Sequence, residues 1–161
     1  RESKILDMVS TYLSDGNSSK LYRKLVDEQK MSLQVAAFNI SLEEYGMYVI
    51  LTLPLGETSL ASLRDEIDEE IEKIQTNLIS QKDYEKLLNK FESNFVSSNA
   101  SVEGIANSLA EYYIFYDDTN LINSEIDIYR SITREEIRDV AKKYLNSNQR
   151  LTLNYLPGSK K

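Results

Sequence analysis

Two runs decide the fold: Met31-Ser32-Leu33-Gln34-Val35-Ala36-Ala37-Phe38-Asn39-Ile40 and Met47-Tyr48-Val49-Ile50-Leu51-Thr52-Leu53. In the first, Leu33, Val35 and Ala37 alternate with Gln34, Ala36 and Phe38, and that period of two predicts a strand. The second is apolar at nearly every position, which predicts a more deeply buried strand, closed by Pro54 and Gly56. Between them Glu43-Glu44-Tyr45-Gly46 reads as a turn region. Strands joined by so short a connection pair antiparallel.

Outward from this hairpin the period is helical. Upstream, Ile5, Leu6, Met8, Val9, Tyr12 and Leu13 share one face, and Asp15-Gly16-Asn17 ends the helix. Ser18 or Ser19 then caps a short helix carrying Leu21, Tyr22, Leu25 and Val26. Downstream, Leu60, Leu63, Ile67, Ile71, Ile74 and Leu78 form one stripe. Ser80 with Asp83 opens a helix that buries Tyr84, Leu87, Leu88, Phe91 and Phe95, with Ile79 stapled to Tyr84. Ser101 opens another, with Val102, Ile105, Ala106, Leu109 and Tyr112 or Tyr113 inward. Asp117-Asp118-Thr119-Asn120 breaks it, and a short helical piece follows near Leu121 to Tyr129. Thr133 and Glu136 form a capping box, with Ile132 stapled to Ile137. That helix buries Ile137, Val140, Ala141, Tyr144 and Leu145. Leu151, Leu153 and Tyr155 alternate in a last strand, Arg150 to Leu156, before Pro157-Gly158. The order predicts an α+β fold: a small, mainly antiparallel sheet packed against a layer of helices, in one domain spanning 1–161.

Composition removes several chemistries. The 161 residues include no cysteine and no histidine. Disulfides, thiol catalysis, histidine-based triads and nearly all catalytic zinc sites are thereby excluded. With 19 basic and 26 acidic residues the net charge is −7, which repels phosphate backbones and argues against nucleic acid as a partner. No apolar run approaches the roughly 20 residues that span a bilayer. Arg1 is not an initiator methionine and Ile5 already sits in a helical pattern. The expectation is therefore a piece of a longer protein.

The residues offer four candidate sites, each with a plainer reading. The acidic run Asp65 to Glu72 could attract calcium or magnesium, but it surrounds the exposed part of a helix without a wrapping loop and reads as a solvated face. Glu43-Glu44 and Asp117-Asp118 are carboxylate pairs of a kind common at turns. Ser18-Ser19-Lys20 has the ingredients of a serine–lysine dyad, although adjacent residues rarely converge on a helix. Tyr112, Tyr113, Phe115 and Tyr116 cannot all face one core, so some must meet solvent or another domain. Asn17-Ser18-Ser19, Asn39-Ile40-Ser41 and Asn99-Ala100-Ser101 fit the glycosylation acceptor pattern, which is frequent by chance. No residue is assigned a catalytic, cofactor or metal role.

The order of motifs carries a resemblance. Gly16-Asn17-Ser18-Ser19-Lys20-Leu21-Tyr22-Arg23-Lys24-Leu25-Val26 resembles the G-x-S-S-R-L-Y-x-x-L segment of the pitrilysin and insulinase family, which includes the mitochondrial processing peptidases. Ala36-Ala37-Phe38 and Gly46 follow in order. Ile79-Ser80-Gln81-Lys82-Asp83-Tyr84-Glu85-Lys86 resembles its I-S-x-x-E-L-E-K helix start. Ile132-Thr133-Arg134-Glu135-Glu136-Ile137 and Val140-Ala141-Lys142-Lys143-Tyr144-Leu145 resemble its V-T-x-E-D-I-x-x-V-A-x-K-Y-L, and Arg150 to Pro157 its closing strand.

The resemblance implies one domain of a LuxS/processing-peptidase-like metalloenzyme fold, specifically the second, non-catalytic C-terminal domain. It implies that zinc, held by an H-x-x-E-H helix, lies in a companion domain or subunit. This chain would form part of a clam-shell chamber that takes a peptide substrate. The arginine and tyrosine that hold substrate in some partner halves have no counterpart here, since Gly46 to Leu53 carries Met47 and Tyr48 and Pro54 to Thr58 has no tyrosine. Upstream strands of the family domain are also missing. An open sheet edge would then favour self-association of the fragment. The alternative function is a structural or binding subunit that kept the peptidase fold and lost catalysis.

Overall fold

Helix α1 spans Glu2–Ser14 because its apolar residues fall on one side, where Ile5, Met8, Val9 and Leu13 are essentially fully buried. Gly16, at φ +84°, turns the chain with a conformation that costs other residues more. The computed structural model describes residues 1–42 and 44–156. Residues Tyr22–Glu28 wind as a π-helix, with the Gln29 amide donating to the Lys24 carbonyl at 2.9 Å and the Met31 amide to the Leu25 carbonyl at 2.8 Å. Leu21 and Leu25 are fully buried there, while Lys24 reaches helix α2 (Leu60–Thr76).

Strands β1 (Ser32–Ser41) and β2 (Gly46–Pro54) pair antiparallel, with Phe38 opposite Val49 and Ala37 opposite Ile50. One sheet face, with Val35 and Ala37, packs on α1. Directly opposite residues share a face, so Ala36, Phe38, Ile40, Met47, Val49, Leu51 and Leu53 lie on the other. Two expectations need correcting. A bulge between Ser32 and Gln34 breaks the alternation and leaves Leu33 exposed, away from Val35. Strand β2 is not deeply buried: Leu51 is 60% exposed, and Met47 and Leu53 are similar, because the described residues place helices on one face of the sheet and nothing over these side chains.

The helical layer follows the capping residues. Helix α2 buries Leu63, Ile71 and Ile74, while Leu78 of its expected stripe lies beyond its end and is exposed. Helix α3 (Gln81–Ser98) starts at Ser80, whose hydroxyl accepts the Asp83 amide at 3.1 Å. Helix α4 (Val102–Tyr116) starts at Ser101, which accepts the Gly104 amide at 3.0 Å. Helix α5 (Leu121–Arg130) and helix α6 (Arg134–Tyr144) complete the layer, and α6 carries the full Thr133–Glu136 capping box. The core joins Met8, Leu13, Leu21, Leu63, Ile132 and Ile137.

Two further expectations fail. Helix α4 does not bury Val102, Ile105 and Ala106: Val102 is 86% exposed, and only Tyr112 of the helix is buried. The helix rests mainly on α5, so one strip suffices for contact and the rest faces outward. The final strand is also absent among the described residues. Leu151 to Leu156 is irregular, with Leu151 82% exposed, and the sheet formed by the described residues has β1 and β2 alone. Pro157 and Gly158 lie outside the described residues.

Candidate functional site

The Ser18-Ser19-Lys20 segment borders a shallow hollow with Tyr12, Asp83, Lys86 and Lys90. The serine–lysine dyad weighed there is not assembled. The buried Ser19 hydroxyl donates to the Gly16 carbonyl at 2.7 Å, and the Lys20 ammonium bonds Asp83 at 3.0 Å and lies 5.2 Å from the Tyr12 ring centre. Burial works against ionised Asp83, yet bonds from Lys20 and Ser80 hold its carboxyl below the usual range. Ser18 meets Lys86 instead, on an exposed surface where the lysine donates to the hydroxyl and takes no proton from it. This is an ion-paired seam between α3 and the start of the π segment.

The acidic run on α2 is neutralised from within. Lys24 bonds Glu66 at 2.8 Å, Glu69 at 2.6 Å and Glu70 at 3.2 Å. Lys73 bonds Glu69 and Glu70 at 2.8 and 2.7 Å, Arg64 approaches Asp65 and Arg150 pairs with Asp68. Lys24 and Lys73 hold Glu69 down to about 2, the Lys24 bond contributing most. An ammonium therefore stands where a metal would, and among the described residues no group of three or more carboxylates is placed to hold a metal ion. Glu43 lies outside the described residues, and Glu44 is exposed. Asp117 closes α4 in the left-handed conformation, while Asp118 accepts the Asn120 amide at 3.0 Å. Asp117 and Asp118 are both exposed. Of the three acceptor-pattern asparagines, Asn17 is exposed, whereas Asn39 and Asn99 donate internally.

A polar nest under α4 was not legible from spacing. Asn39 donates to Asp7 at 3.1 Å and to Ser3, and Lys4 pairs with Glu125, which also accepts from the Tyr112 hydroxyl. Burial pushes the Asp7 carboxyl up, against the Asn39 bond and the Lys4 charge. Burial likewise raises Tyr112 and Tyr129 well above the ordinary tyrosine range. Among the described residues the buried Tyr48 hydroxyl has no hydrogen-bond partner, and the Ser10 hydroxyl donates to the Leu6 carbonyl at 2.9 Å. The bonded members of the nest, Ser3, Lys4, Asp7, Asn39, Tyr112 and Glu125, tie α1, β1, α4 and α5 together.

What remains open is apolar: the outer sheet face and the outward side of α4. The exposed side chains on both are mainly aliphatic and aromatic, the kind that meet another protein surface.

Residues 1–91 match the peptidase M16 inactive domain. The chain belongs to that family. A curated relative, the zinc protease PqqE of Helicobacter pylori, is 25% identical over 148 residues, which is 92% of this chain and 33% of that protein. The chain thus spans about a third of the length of the curated relative it matches. Solved structures agree in fold. A Helicobacter pylori protease has a TM-score of 0.85 at 22% identity, covering 92% of this chain and 36% of that one. An inactive peptidase domain from Bordetella parapertussis has a TM-score of 0.85 at 22% identity, covering 100% and 86%. The periplasmic protease PqqL of Escherichia coli reaches 0.65 at 16% identity, covering 89% and 16%. The resemblance read from the ordered motifs is borne out, as is the α+β class. As an M16 inactive domain the chain is the non-catalytic kind of unit in its family.

Proposed function

We propose that the chain, residues 1–161, is the non-catalytic domain of a zinc peptidase and forms part of the wall of a chamber that takes peptide substrates. The zinc and its ligands belong to a companion domain, upstream in the same polypeptide or on a partner subunit. No residue here takes part in bond cleavage. The observation that carries this reading is the uncovered outer sheet face of an M16 inactive domain, with Phe38, Met47, Leu51 and Leu53 exposed. A contiguous apolar surface of this kind marks an interaction site. Leu151 to Leu156, irregular here but alternating in sequence, is suited to join a sheet whose further strands come from outside residues 1–161. Without its companion the chain pairs with itself at the open sheet. At one point that edge is already blunted, because the Ser14 hydroxyl accepts the Ala37 amide at 2.6 Å and donates to its carbonyl at 3.2 Å.

The test has two parts. The coding sequence upstream, or that of a neighbouring gene, encodes an H-x-x-E-H helix. The product bearing it co-elutes with this chain on size exclusion, and Phe38→Glu with Leu51→Glu abolishes co-elution while leaving helical circular dichroism intact. Absence of that motif from both places would overturn the reading and favour a binding subunit without catalysis. Co-elution unaffected by the two substitutions would move the interface away from the sheet.

A further inference from the structure

We propose that the outward side of α4 is a second docking surface, made for a protein face on which arginine or lysine side chains stand among apolar ones. Ile114, Phe115 and Tyr116 are all exposed there, with Phe115 62% open, and Tyr113 extends the patch. Consecutive positions on a helix face different ways, so this patch wraps the end of α4 and could not have been buried on α5 alone.

Charge says what covers it. No lysine or arginine occurs between Lys90 and Arg130. Glu103, Glu111, Asp117 and Asp118 stand on or beside α4, and none enters an ion pair among the described residues. Arg130, the first cation after α4 in sequence, pairs with Glu92 and Asp127, and Lys4 pairs with Glu125. The acidic run on α2 is the contrast, since Lys24, Lys73, Arg64 and Arg150 pair with it.

Position sharpens the point. Asp117 and Asp118 follow the C-terminus of α4, and its last turn has no basic residue. The helix dipole is negative at that end and favours cations. Asp118 is turned to the Asn120 amide ahead of α5, whereas Asp117 stands at the negative end of α4 and is the carboxylate that a cationic partner relieves. Tyrosine and phenylalanine beside carboxylates hold an arginine by its planar face and its charge together. A second copy of this chain would set carboxylate against carboxylate, which is repulsive. The platform under the patch is firm, because Tyr112 bonds Glu125 and Phe91 stacks on Tyr129 at 4.4 Å.

The test uses the chain, isotope-labelled for amide NMR, and a synthetic amphipathic helical peptide with an arginine-flanked leucine stripe. One control peptide has glutamate for arginine, and another has the first composition scrambled. The expected result is shifts concentrated at Tyr113 to Asp118, weakened about tenfold on going from low to physiological salt, and absent with either control. Phe115→Ser with Tyr116→Ser, and separately Asp117→Asn with Asp118→Asn, each weaken binding about tenfold while the amides of α6 keep their positions. Four results would overturn the inference: no shifts on α4, shifts centred on Asp65 to Glu72, equal binding of the scrambled peptide, or concentration-dependent α4 shifts without peptide, which would make a second copy the occupant. None of these outcomes bears on whether a zinc domain exists upstream.

Discussion

Thr133 and Glu136 show how much a single residue can declare. The Thr133 hydroxyl accepts the Glu136 amide at 3.2 Å, and the Glu136 carboxylate accepts the Thr133 amide at 2.8 Å. Both bonds are local, so the spacing alone predicted them. Thr133→Ala removes one of them and lowers stability by about 1 kcal/mol, measured by urea unfolding. Arg1 joins the same carboxylate, and with the Thr133 amide holds it at about 2. A depressed carboxyl contributes stability above the ordinary carboxylate range and loses it as pH falls toward its folded value. This contribution therefore fades from about pH 4.5 to about pH 2, and salt screens it because the pair is largely exposed. Asp7 has the opposite sign. Burial raises its pKa, so its contribution is greatest when protonated and is lost as pH rises through the folded value. Asp7→Asn, which cannot ionise, should raise the urea midpoint at neutral pH, with the gain shrinking at about pH 3. An equal midpoint at both would show that Asp7 is not held in a desolvating site. Its partners Asn39, Lys4 and Glu125 come from β1, α1 and α5, and no local pattern announces such a meeting.

Among the elements, those with local punctuation were legible. Ser80, Ser101 and Thr133 each begin a helix as expected, and Gly16 ends one. The bulge at Leu33, the π winding of Tyr22–Glu28 and the exposure of α4 were not, because each depends on what lies across from the element. Gly104 offers a check on α4. Alanine ordinarily favours a helix over glycine by about 1 kcal/mol. Here, however, an added Cβ would stand 1.8 Å from the Ser98 carbonyl oxygen, which is backbone. The clash outweighs the propensity, so Gly104→Ala should lower the protection of α4 amides in hydrogen exchange. Increased protection would mean that the turn from α3 into α4 is misjudged. Leu151 to Leu156 kept its alternating pattern but found no neighbour, since a strand is a property of two chains of backbone and the sequence shows only one. Its amides should exchange at open-chain rates in the isolated chain and slow when the companion is added.

At the scale of the whole molecule, helices cover one side of a hairpin and leave the other side apolar and bare. The described surfaces carry no reacting constellation, and the fold belongs to a family of inactive peptidase domains. The central claim is that this chain shapes and docks while another domain cuts. It is tested most directly by titrating zinc into the isolated chain by calorimetry and assaying the same sample on an unstructured peptide. The account predicts no stoichiometric zinc site, because neither imidazole nor thiolate is available to hold the ion, and no cleavage. One zinc bound per chain at micromolar affinity or tighter, with peptide hydrolysis that a chelator abolishes, would contradict it.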